Sequence, residues 1–137
     1  MLRRGRGRIV NIASTGSFVP GPGNAIYCAA KAYVLHLSEA LYQETRGTGV
    51  DVAAVCPGAT KTGFAHRADL ESSLLFNYAV MSPKKVAEAV YLAAMRLRPV
   101  TVVGGMNKAM LFAPRLLPRA LTAPVPGSVP QQAHRQV

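Results

Sequence analysis

A tyrosine and a lysine stand four residues apart in the run AIYCAAKAYVLHL, residues 25–37. Four residues is about one helical turn, so in a helix Tyr27 and Lys31 share a face. A free tyrosine, with a pKa of about 10, is a poor acid or base at neutral pH. A neighbouring ammonium favours the phenolate, which makes such a pair a candidate for general acid–base work. A proton given to a carbonyl oxygen while hydride arrives at carbon is carbonyl reduction. The plainer alternative is an amphipathic helix with a snorkelling lysine, and spacing alone does not separate the two.

Two further features flank the pair. Ser14 ends the run GRIVNIAS, thirteen residues before Tyr27. A strand and helix joined by the loop between them would bring its hydroxyl beside the phenol, where it could hold a substrate oxygen; taken alone it is an ordinary turn serine. The stretch CPGATKT, residues 56–62, breaks a second apolar run. In parallel α/β sheets ligands bind at such strand ends, although Pro-Gly after a strand is also a common turn.

The elements needed to hold these residues are legible around them. GRIVNIAS (7–14), VDVAAVC (50–56) and PVTVVGG (99–105) read as buried strands, each a nearly continuous apolar run of the kind covered on both faces. TGSFVPGPGN (15–24) is a loop by its glycines and prolines, and residues 25–46 form a helix stopped by RGTG. Residues 59–81 are loop with short helical pieces. SPKKVAEAVYLAAMRL (82–97) is a second helix with Ser82 as N-cap and Pro83 at its first position. Strand, helix, strand, helix, strand is the grammar of a parallel α/β sheet.

Composition narrows the class. The chain has 137 residues, enough for one core, with 16 Lys and Arg against 6 Asp and Glu, a net charge of +10. Four arginines crowd residues 2–8, a balance that favours anionic partners such as nucleic acid, anionic lipid or a phosphate-bearing cofactor. The basic residues are otherwise scattered and lack the aromatic interleaving of single-strand binders, so nucleic acid is not expected. Cys28 and Cys56 have no metal-ligand or secreted-scaffold spacing, and the cytoplasm is the expected location. His36, His66 and His134 share no spacing, and no metal is assigned. No apolar run is long enough to cross a membrane.

Taken together, GRIVNIAS, YCAAK and AAVCPGATKT resemble the short-chain dehydrogenase/reductase family in order and spacing, over about residues 1–105. Residues 81–121 are similar to the end of a bacterial subgroup of general oxidoreductases in that family. The resemblance implies the C-terminal part of a Rossmann-type, doubly wound parallel sheet: three strands with flanking helices. It implies an oxidoreductase that interconverts an alcohol and a carbonyl on a small molecule with NADP or NAD. Tyr27 would be the acid/base. Lys31 would tune it and bind the nicotinamide ribose, and Ser14 would orient the substrate. Pro57, Gly58, Thr60 and Thr62 would touch the nicotinamide end of the cofactor, with Tyr27 and Lys31. Residues 61–81 would be a substrate lid, and the helix at 25–46 would join copies into a homo-oligomer.

The same resemblance exposes what the sequence lacks. Neither Gly-x-Gly-x-x-Gly nor Thr-Gly-x-x-x-Gly-x-Gly occurs, and the Asn-Asn-Ala-Gly segment is absent. Asn11 lies in a strand and does not match the family's fourth catalytic residue. The expectation is therefore a partial catalytic domain (1–105) without its adenine and pyrophosphate site, whose first strand has an unpaired edge. An apolar, basic segment (106–121), which could rest weakly on a membrane surface, and a proline-rich, disordered tail (122–137) would follow. The competing reading is a non-catalytic, partner-binding or vestigial half-domain.

Overall fold

The computed structural model describes residues 1–21, 23–61, 80–96 and 98–112. Three parallel strands form one sheet in the order β1 (Gly7–Ile12), β2 (Val50–Cys56), β3 (Val100–Val102). β1 and β2 are in register from Gly7 opposite Val50 to Ile12 opposite Val55, and β2 and β3 from Ala54 opposite Val100 to Cys56 opposite Val102. Helix α1 (Ala25–Glu44) joins the first two strands, α2 (Pro83–Arg96) precedes β3, and α3 (Gly105–Phe112) follows it.

The two helices cover opposite faces, as the alternation of β2 requires. Ala54 and Cys56 pack with Ala13 and Leu35 on the α1 side; Val55 packs with Ala93 and Val103 on the α2 side. β2 is thus buried along almost its whole length. The reading of a doubly wound sheet holds for this strand, and the reading of three fully covered strands does not. Ile9 and Ile12 of β1 are 37% and 43% exposed. β1 lies at the sheet edge, paired only with β2 among the described residues, and α1 packs mainly on β2. An edge strand with half a cover keeps its apolar sequence without the burial.

A polar clip ties β1 to α1 from inside. Asn11 Nδ2 donates to Ser38 Oγ at 2.9 Å, and that hydroxyl donates to the Val34 carbonyl at 2.6 Å, satisfying a serine that is wholly buried. Asn11, set aside as a catalytic candidate, has this structural role.

Element ends follow local chemistry. The Ser82 hydroxyl accepts from the Lys85 amide, capping α2 ahead of Pro83. β3 is shorter than its apolar run, but Pro99 O and the Val103 amide continue its ladder to β2 before Gly104 turns away at φ +90°. α1 stops two residues before the expected end, where the Thr45 hydroxyl bonds back to Leu41 O. The arginine-rich start is a short 3₁₀ turn (Leu2–Arg4) with its arginines exposed. The segments 113–121 and 122–137 and most of the expected lid lie outside the described residues.

Two expectations follow from this packing. Gly47 and Gly49 both have positive φ, +77° and +76°, but only at Gly49 would a Cβ drive into the Gly5 carbonyl. Gly47→Ala should cost about 1 kcal/mol through backbone strain alone. Gly49→Ala should cost about 2–4 kcal/mol by urea unfolding, because overpacking adds to strain; equal costs would refute the close approach. The second concerns Cys56, whose thiol is pushed up from 9.0 to about 11, mainly by burial, with Glu39 adding to it and a backbone hydrogen bond to Ser14 opposing. The unfolded thiol ionises first as pH rises, so stability contributed below pH 9.0 should be lost on the way to about 11. Cys56→Ala should flatten that part of the stability–pH curve.

Candidate active site

The carboxyl ends of β1 and β2 carry the site, and backbone bonds beyond the strands position it. Ala13 N–H donates to Val55 O at 2.8 Å, and Thr15 N–H to Pro57 O at 2.9 Å. Ser14 sits between these two rungs, 8% exposed. It caps a 3₁₀ turn (Thr15–Phe18): its Oγ accepts from the Gly16 amide at 3.1 Å, and its own amide donates to Ser17 Oγ at 3.2 Å. Reciprocal capping of this kind fixes both backbone and side chain of the capping residue.

Tyr27 and Lys31 lie on the first two turns of α1, both half-buried. Lys31 Nζ stands 6.0 Å from the centroid of the Tyr27 ring, within cation–π range, and donates to the Ile12 carbonyl at 2.9 Å. That bond anchors the helix to the end of β1. The Tyr27 ring and the Ser14 hydroxyl meet around Gly16. A Cβ there would stand 3.6 Å from Tyr27 Cε1, 3.5 Å from Ser14 Oγ and 3.3 Å from Cys28 Sγ. Ser14 Oγ and the Tyr27 ring thus both border Gly16, and Lys31 Nζ stands beside that ring.

Pro57, Gly58 and Thr60 form the next wall, each half-buried. Pro57 is joined to the Ser14 turn through Thr15. The Thr60 hydroxyl donates to Gly58 O at 3.0 Å, and Thr60 bridges Met81, whose backbone bonds Ala59 and Lys61. Thr62 lies outside the described residues. A groove of about 570 Å³ opens elsewhere on the same loop, lined by Phe18, Val19, Cys28, Ala29 and Ala32 among others; Ser14, Tyr27 and Lys31 are not part of its wall.

Two supporting residues were not legible. Ser17 is buried and bridges the Ser14 turn to α1, donating from its hydroxyl to the Lys31 carbonyl at 2.9 Å. The spacing Ser-x-x-Ser hints at a cap but not at the helix contact. Asn107, in α3, lies against the inner face of Gly58; its Nδ2 donates to Val103 O at 2.7 Å and lies 3.7 Å from Met81 Sδ. Nothing local in MNKAMLF marks it. Among the described residues no group of three or more His, Cys, Asp or Glu is placed to hold a metal. No helix there is long and apolar enough to cross a membrane.

Comparison with known proteins agrees with this fold. The family described as short chain dehydrogenase matches residues 1–72. Ketoacyl reductase HetN of Nostoc sp. is 36% identical over 108 residues, covering 78% of this chain and 37% of its own length. "Inactive 2-(S)-hydroxypropyl-CoM dehydrogenase 2" of Xanthobacter autotrophicus is 35% identical over 124 residues, covering 78% of this chain and 54% of its own. A short-chain dehydrogenase from Sphingobium yanoikuyae, solved in complex with NADPH, superposes with a TM-score of 0.67 at 30% identity, over 95% of this chain and 50% of that one. The chain thus spans about half the length, or less, of the relatives it matches. The sheet order, the helices on both faces and the match over residues 1–72 lead to one conclusion: this chain belongs to the short-chain dehydrogenase family.

Proposed function

We propose that this chain supplies the catalytic half of a nicotinamide-dependent oxidoreductase that interconverts an alcohol and a carbonyl on a small molecule. The observation that supports the reading is that Ser14 Oγ and the Tyr27 ring both border Gly16, with Lys31 Nζ 6.0 Å from that ring and bonded to Ile12 O where β1 ends. Ser14 Oγ accepts from Gly16 N–H, which leaves its own proton to be donated to a substrate oxygen. The Tyr27 phenol gives a proton to that oxygen in reduction and takes it back in oxidation. Lys31 holds its ammonium 6.0 Å from the centre of that ring.

The donor set fits the nicotinamide end of NADP or NAD. An ammonium has three donors and its bond to Ile12 uses one, so Lys31 suits ribose hydroxyls. Pro57, Gly58, Thr60 and Thr62 belong to the segment after β2 that would line the ring, at the strand ends where such ligands bind. A nicotinamide bound there would supply or accept hydride. The pyrophosphate needs a glycine-rich turn, which this sequence does not contain, so full cofactor affinity requires a preceding βαβ unit. Free Cys28 and Cys56 suit the cytoplasm.

A second reading, association without catalysis, has its own observation. Ile26, Tyr33 and Leu37 of α1 are 88%, 67% and 39% exposed along one stripe. Such a stripe suits a homo-oligomer through the 25–46 helix, in an active enzyme or in a vestigial partner-binding half-domain. Exposed Met106 and Met110 of α3 would serve the weaker membrane contact of 106–121.

Tyr27→Phe separates the readings. It should lower turnover of a carbonyl substrate by about 10²–10⁴-fold while leaving oligomeric state unchanged. Residual turnover near that of the unaltered chain would sink the acid/base assignment. Tyr33→Glu should shift sedimentation toward the monomer, and unchanged sedimentation would remove the α1 stripe as the contact.

A further inference from the structure

We propose that Ser17 is a positioning residue that locks the Ser14 turn to the Lys31 turn of α1, an inference that deepens the catalytic reading above and rests on it. Ser17 is 8% exposed and uses its hydroxyl twice. It accepts from the Ser14 amide at 3.2 Å and donates to the Lys31 carbonyl at 2.9 Å. One oxygen therefore joins the backbones of two residues whose side chains are gathered at the site.

The rest of the neighbourhood leaves few substitutes. The Gly16 amide is directed to Ser14 Oγ, and the Ser17 amide to the Ser14 carbonyl at 3.0 Å. The Ser14 backbone also bonds Cys56, but sulfur is a weak acceptor. Lys31 holds the same strand end through Ile12, two residues before Ser14. The Lys31 side chain and the Ser17 hydroxyl thus clamp one turn of α1 to the chain on both sides of Ala13. Removing the hydroxyl loosens Ser14 against the helix that carries Tyr27, and small misplacement of reacting groups is costly in rate.

The test compares Ser17→Ala and Ser17→Thr in the whole chain. Hydrogen exchange read by NMR comes first, because it does not require turnover. The Ser14 amide should exchange at least about tenfold faster in Ser17→Ala, while the β2 amide of Val55 keeps its protection. Ser17→Thr should restore slow exchange. Wherever the unaltered chain turns over substrate, Ser17→Ala should lower kcat by about 10–100-fold with cofactor KM held within about twofold, and Ser17→Thr should recover most of it. Unchanged Ser14 exchange in Ser17→Ala would overturn the proposal. Equal acceleration at Val55, or equal loss in both variants, would do the same by assigning the effect to packing. Absence of turnover in the unaltered chain would count against the catalytic reading, with the exchange data still deciding the role of Ser17.

Discussion

The ladder between the first two strands does not stop where the strands do. Its rungs at Ala13 and Thr15 carry the pairing of β1 and β2 into the loop beyond, and the placement of Ser14 depends on them. A residue held between bonds to Val55 in β2 and to Pro57 just beyond it is tied to the core. β2 in turn is rigid because α1 and α2 cover its two faces with separate apolar clusters. Placement of Ser14 is thus set by burial in the neighbouring strand.

α1 has two tasks that compete for the same surface. Its inward residues, Leu35 and Ser38, belong to the core and to the clip from Asn11. Its first two turns must instead lie over the end of β1 with Tyr27 and Lys31 half-buried. A glycine at 16 allows close approach of the turn to Tyr27 and Cys28 of the helix. The lysine then spends part of its donor capacity on Ile12, which exchanges side-chain freedom for a fixed charge.

What could be read in advance divides along physical lines. Tyr27 and Lys31 were legible because helical periodicity alone puts them together. Ser14 and the Pro57–Gly58 break were legible because apolar strand runs end there. The doubly wound arrangement followed from the alternation of strands and helices. Exposure of Ile9 and Ile12 was not legible, since an edge strand and a central one share the same residue types and only pairing distinguishes them. Ser17 and Asn107 stayed hidden for a related reason. Beside a local bond, each makes a contact with a residue fourteen or more positions away, and no local pattern encodes that second contact.

Asn107 and Gly58 close onto one another so tightly that a side chain at 58 has no room while the amide stays at 107. A larger residue at 58 therefore requires the Asn107 side chain to shift or to be made smaller, and a smaller residue at 107 alone would leave a void beneath the loop. The choice of residue in α3 is in this way tied to the segment after β2, although 48 positions lie between them in the numbering.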